Sequence, residues 1–283
     1  MILRKTLAWA AALGLVVTAA PTWAQAERKG LDTTRGVAMA PASPAYSSVP
    51  LTFECFVRLT GRAEYNIIVA NESKASPTHW ELFTTPGDGL LAAYLPGRRP
   101  DHAWTDVNLT DGQWHYLAMV LEKEQVRLFV DGAMRAKVAL SPPPDKGIPG
   151  PLAFGALTTL ELRCKGFIAE ARISNTAREI TTVPDRLDVD QHTVGLWRFD
   201  QLVDGVFPDL SPLANAAEYR RMRLGPGHIP VAGGMSAEFQ PLPPPEDVTA
   251  LRRALREIAA RLNLQTVRAD RIRDGVLREW NFD

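Results

Sequence analysis

Asp111–Gly132 reads DGQWHYLAMVLEKEQVRLFVDG, two apolar runs enclosed by two Asp-Gly pairs. In the first run, 114–121, Trp114, Tyr116, Ala118 and Val120 alternate with His115, Leu117, Met119 and Leu121. A period of two with apolar residues on both faces predicts a central strand covered on both sides. In the second run Val126, Leu128 and Val130 face one way, and Gln125, Arg127 and Phe129 the other. That pattern gives one core face and one wetter face. Glu122–Glu124 is a short polar turn. Asp131-Gly132 supplies the positive backbone angles of a tight hairpin and turns the chain into a third strand over 133–140. Three strands joined by short turns form an antiparallel meander, which speaks to fold and hardly to chemistry.

Outward from this meander, further strand patterns recur at 51–58, 64–70, 79–84, 89–95, 151–156 and 160–173, separated by Gly, Pro, Asp and Asn clusters. No helix-period segment interrupts them, so the expected class is all-β, a sandwich or barrel. In the last run the apolar face passes from Leu160, Leu162 and Cys164 to Phe167, Ala169, Ala171 and Ile173. A bulge or turn at Gly166 explains the change of parity. Residues 27–50 show no opening strand. The loop framed by Pro142–Pro144 and Pro149–Pro151 should stay irregular, and Asn175–Pro184 reads as a turn or short helical piece. Val194–Asp200 (VGLWRFD) either completes the sandwich or begins a second, incomplete copy continued by Val231–Phe239 (VAGGMSAEF).

The DG-x-WH strand followed by a hairpin ending in aromatic-x-Asp-Gly resembles the laminin-G / concanavalin A-like jelly-roll family. The residues that carry it are Asp111, Gly112, Trp114, His115, Phe129, Asp131 and Gly132. Leu51–Arg58 resembles that family's early core strand, Gly166–Ser174 (GFIAEARIS) its closing strand, and Val194–Asp200 a strand that often opens the domain. The likeness spans roughly residues 30–240 and implies an antiparallel two-sheet jelly-roll sandwich. Residues 27–240 are therefore expected to form the domain, with 185–240 supplying completing strands and an extension.

The 283 residues carry no formal net charge and include two cysteines. Balanced charge argues against nucleic acid or an anionic membrane as the main partner. Arg4 and Lys5 precede an apolar run, Leu7–Ala20, too short to span a bilayer comfortably, and small residues follow. Residues 1–26 thus read as a signal peptide with cleavage after Ala24 or Ala26. Roughly 255 residues would remain, enough for one large sandwich or two small domains. Export to the periplasm, cell surface or exterior is expected, with no transmembrane segment in the mature chain. After the Pro-rich break at 241–245, Val248, Leu251, Leu255, Ile258 and Leu262 recur at spacings of three and four. Residues 241–283 are therefore read as a break and an amphipathic helical tail, whose 248–262 seam is available to a partner domain or chain.

Export permits a disulfide. The resemblance makes the early core strand and the closing strand neighbours, which would allow a Cys55–Cys164 bridge. Two buried free thiols are the alternative reading. The same resemblance raises Ca²⁺, which laminin-G domains often hold at a sandwich rim through loop oxygens. Asp88, Asp101, Asp106 and Asn108 are the candidates, although turn formation explains each.

No paired-acid motif of the jelly-roll glycosidase type is present, and Glu54, Glu81 and Glu170 stand isolated. There is no G-x-S-x-G, no H-E-x-x-H and no glycine-rich phosphate loop. Sugar recognition instead needs exposed rings flanked by polar groups. The densest such mixture, 71–106, offers Asn71, Trp80, Arg98, Asp101, His102 and Trp104, with Trp104 placed in a Pro-Gly-Asp-rich loop. The expected function is a secreted, non-catalytic module for a glycan or an extracellular or envelope protein. The alternatives are a carbohydrate-active enzyme or its accessory domain, and a structural spacer of a larger envelope protein.

Overall fold

The computed structural model describes residues 28–221 and, as part of a separate unit, a two-stranded ladder of Ile272–Arg273 with Val276–Leu277. The expected signal peptide, the expected strand Val231–Phe239 and the expected helix over 248–262 fall outside the described residues. Within 28–221 the chain forms strands β1 (Leu31–Asp32), β2 (Gly36–Ala40), β3 (Leu51–Leu59), β4 (Asn66–Asn71), β5 (Trp80–Thr84), β6 (Leu90–Tyr94), β7 (His102–Asn108) and β8 (Trp114–Leu121). These are followed by β9 (Gln125–Val130), β10 (Ala133–Ala139), β11 (Leu152–Phe154), β12 (Gly166–Ser174), β13 (Thr193–Arg198), β14 (Val206–Phe207) and β15 (Ala217–Arg221). A single 3₁₀ turn, Pro44–Tyr46, interrupts them, and no described helix is long and apolar enough to cross a membrane.

The strands form two antiparallel sheets, the sandwich that alternation predicts. Sheet one runs β1-β12-β3-β8-β9-β10, and sheet two runs β14-β15-β2-β11-β4-β5-β6-β7. Strand β13 pairs with the part of β12 that β1 leaves free. Between the sheets Phe53, Val57, Trp80, Leu82, Leu117, Met119, Phe154 and Trp197 make one core. Rings meet across it: Phe53 lies 5.6 Å from Trp80, and Phe154 5.0 Å from Trp197. Truncating one such ring to alanine typically costs about 3–5 kcal/mol.

The DG-x-WH strand is covered on both faces as its pattern requires. Leu117, Met119 and Leu121 enter the central core, while Trp114, Tyr116, Ala118 and Val120 join a second apolar cluster on the outside of sheet one. Residues 175–192 make that outside an interior. Ala177, Ile180, Val183 and Leu187 of this irregular strap pack against Phe56, Trp114, Tyr116 and Phe129. The strap contains no helical piece.

Three expectations need correction. Residues 27–50 do contain an opening strand, because β2 is fully buried in the middle of sheet two. Residues 160–165 are a turn, and the last long strand begins at Gly166, where a Cβ would lie 2.1 Å from the Arg58 carbonyl oxygen. Cys55 and Cys164 are free thiols, both buried. Cys55 sits opposite Ala171, whereas Cys164 precedes β12 and donates its N–H to Gly155 of the other sheet. The two cysteines therefore never occupy facing positions of one ladder. Burial pushes the Cys164 thiol up to about 12, and burial with the nearby Cys164 sulfur raises Cys55 as well.

Candidate functional site

Three strands at the end of sheet two carry an outer face that is covered over β5 and opens at β7. Alternation on β5 sends Trp80 and Leu82 into the core and Glu81 and Phe83 outward. The register then aligns Glu81, Tyr94 and His102 across β5, β6 and β7, and beside them Phe83, Ala92 and Trp104. The Ala92 methyl is too small to fill its place, so Phe83 and Trp104 meet over it with centroids 6.0 Å apart. His102 and Trp104, two residues apart on one strand, share a face. Their rings lie 4.9 Å apart and within 5° of parallel. On the other side of His102 the Tyr94 ring stands 4.7 Å away. Tyr94, His102 and Trp104 thus form a continuous stack, and its outermost member, Trp104, is 53% exposed. Tyr65, 44% exposed, packs on Phe83 at 5.8 Å.

Polar groups border the stack. Glu81 accepts from Lys74 Nζ at 3.0 Å and pairs with His79 Nε2 at 3.2 Å, and Lys74 lies over the Tyr94 ring. Asp101 Oδ1 is 2.8 Å from His102 Nδ1. That hydrogen bond holds the Asp101 carboxyl below the usual carboxylate range. The face therefore combines ring surface with fixed donors and acceptors, the pairing that binds a molecule having both C–H faces and hydroxyls.

Of the residues singled out in the sequence, Trp104, His102 and Asp101 lie together here. Trp104 belongs to strand β7 and not to a loop, which fixes its ring against the sheet. Trp80 is buried in the core, its indole N–H donating to the Tyr46 carbonyl at 2.7 Å. Asn71 is buried at the end of β4, opposite Trp80. Arg98 is buried too, with Nη1 donating to the Lys123 and Ser141 carbonyls at 2.6 and 2.8 Å. Tyr65, Phe83 and Lys74 were not selected from the sequence, and Glu81 was weighed only as an isolated acid. The outward alternation of β5 carries a signal for Phe83 and Glu81, but the assembly of the rings depends on register.

The suggested Ca²⁺ donors do not form a cage. Asp101 is engaged by His102, and Asn108 Oδ1 accepts from both the N–H and the hydroxyl of Thr110. Asp88 accepts from the Thr85 hydroxyl and the Leu90 N–H, and Asp106 is exposed on β7. Among the described residues no group of three His, Cys, Asp or Glu side chains is placed to hold a metal ion.

Residues 31–183, more than half of the chain, match the family model of the concanavalin A-like lectin/glucanases superfamily, laminin G type. The chain belongs to that family. Among solved structures it is similar to a protein of Bacteroides ovatus ATCC 8483 assigned to carbohydrate binding, with 15% identity and a TM-score of 0.48. That match covers 65% of this chain and 58% of the other, so the chain spans less than two thirds of that protein. It is also similar to the CBM40 of the Ruminococcus gnavus IT-sialidase, at 13% identity and a TM-score of 0.45 over 55% of this chain and 98% of that one. Domains LG4-5 of the mouse laminin alpha1 chain match at 14% identity and a TM-score of 0.40, over 63% of this chain and 48% of theirs. No curated protein matches the chain.

Proposed function

We propose that this chain is an exported, non-catalytic binding module that takes a glycan on the outer face of β5–β7. The observation that carries the reading is the Tyr94–His102–Trp104 stack with its half-exposed terminal ring. A pyranose lays its C–H face on such a ring, while carboxylates and amines at the border receive its hydroxyls. Asp101 and the Lys74–Glu81 pair are the bordering groups.

The carboxylates support binding over hydrolysis. A glycosidase needs an acid with a raised pKa facing a second carboxylate across an open groove. On the ring face Asp101 is pushed down, not up. Burial raises the Glu170 carboxyl, but on the other sheet. It lies between Arg28 and Arg198 and accepts the Leu187 N–H, under the strap and away from the rings.

The test is a glycan array probed with the exported chain, with and without calcium, followed by titration of any hit. Trp104→Ala is expected to weaken the hit about tenfold or more, the loss of roughly 1.4 kcal/mol or more of stacking and desolvation. Wild-type affinity in that variant would falsify the site, and an array with no hit removes the glycan reading altogether.

A further inference from the structure

A groove of about 580 Å³ opens at one rim of the sandwich, where the 43–49, 72–79 and 143–150 loops meet Arg98. This volume is that of a small-molecule site. Its walls are apolar at Pro44, Pro77, Leu95, Leu121 and Pro144. Two charged groups are set into them. Glu72 is 5% exposed, and its carboxylate is received only by hydroxyls: Ser47 at 3.1 Å on Oε1, and Ser76 at 2.7 Å and Thr78 at 2.6 Å on Oε2. Glu72 also holds a left-handed backbone, with φ of 63°. Arg98 is 4% exposed and spends Nη1 on two carbonyl groups. Burial lowers its pKa.

Neither group belongs to an ion pair among the described residues, with each other or with anything else. A buried charge ordinarily has a counter-charge, because leaving it unpaired costs several kcal/mol. Structural roles explain part of each side chain: the hydroxyls join the 43–49 and 72–79 loops through Glu72, and Arg98 ties the β6–β7 connection to the β8–β9 turn and the end of β10. They do not explain why a buried carboxylate and a buried guanidinium of one groove, which the exposed Asp145 also lines, both go without counter-charge. Glu72 Oε1 has one hydroxyl donor where Oε2 has two, and Arg98 has donors beyond Nη1.

We propose that this groove binds a small zwitterion, an amino acid or short peptide, with its ammonium on Glu72 and its carboxylate on Arg98. The apolar walls cover the aliphatic or peptide stretch between the two charges. The site is separate from the ring face and needs no glycan.

The experiment is calorimetric titration of the full chain at low ionic strength with glycine, β-alanine, γ-aminobutyrate, 6-aminohexanoate and glycylglycine. These probes step the distance between ammonium and carboxylate. One spacing is expected to bind saturably and the others at least tenfold more weakly. N-acetylation or C-terminal amidation of the best probe should each abolish binding, a control that leaves the protein untouched. Glu72→Gln and Arg98→Lys should each weaken it tenfold or more, judged only in variants that keep the parent melting temperature. The proposal is overturned if no probe binds at up to ~10 mM. It is equally overturned if the blocked probes bind as well as the free ones, or if calcium alone occupies Glu72 and the zwitterions do not.

Discussion

The two outer faces of this sandwich solve opposite problems. Sheet one has a strap laid over it, and the buried Glu54 beneath is fully engaged. Glu54 accepts the Tyr116 hydroxyl at 2.6 Å and Arg172 Nε and Nη2 at 2.8 and 2.9 Å, with Arg178 at 3.5 Å. Arg178 continues to Asp190 at 2.7 Å. At the β5–β7 end of sheet two Phe83 is buried, but Trp104 and Tyr65 beside it stand about half exposed. Soluble proteins rarely leave such a surface without a use. The covered face shows how this chain seals an aromatic surface kept for stability, and the half-exposed rings of the other face are the contrast on which the proposed binding role rests.

The largest effect expected from this contrast is at Glu54. Glu54→Ala strands Arg172, Arg178 and the Tyr116 hydroxyl under the strap. Breaking a buried pair from one side costs about 3–5 kcal/mol. Urea unfolding followed by tryptophan fluorescence should show a loss of that size. A loss below about 1 kcal/mol would mean that the strap is no more an interior than the ring face is.

A smaller effect concerns pH. His115 bridges Asp131, 2.8 Å from Nδ1, and Asp111, 3.1 Å from Nε2, beside the turn whose Gly132 abuts Thr182 and Val183 of the strap. Burial pulls its pKa down, but Asp131 and then Asp111 outweigh burial and leave it raised. A histidine raised in the folded state stabilises most below its unfolded pKa of about 6.5, and that contribution fades as pH rises through the folded value. The urea midpoint should therefore fall between about pH 6 and pH 8. His115→Gln should flatten this part of the profile. An unchanged profile in that variant would assign the dependence to some other group.

Much of the frame is legible in the chain. A strand apolar on both faces has to be covered twice, and 114–121 announces both the core and the strap before any partner is known. Strand β2 is hidden because GVAMA has low intrinsic β preference, and only its central position makes it a strand. Strand β7 is hidden by its flanks and by an outward face of His102 and Trp104, so the two best-placed site residues were recognised but set in a loop. The ring stack itself is a product of register. Tyr94 meets His102 because β6 and β7 pair as they do, and Phe83 reaches Trp104 because Ala92 stands between them. The fold also places Trp80 and Arg98 in buried structural roles that their residue types do not disclose.

The smallest expected effect is the one that divides the two faces most sharply. Trp104 touches Phe83 and His102 but keeps half its surface in water, and nothing in the strap or core rests on it. An exposed aromatic contact of this kind is worth about 0.5–1.5 kcal/mol, and truncation leaves no sealed cavity. Trp104→Ala should therefore lower the unfolding free energy by about 1 kcal/mol or less, far below the Glu54 effect. Ligand affinity in the same variant should drop. A ring kept for stability would give the reverse pattern, a large loss on unfolding with binding unchanged. The two measurements on one variant thus tell an interior left uncovered from a surface made to be occupied.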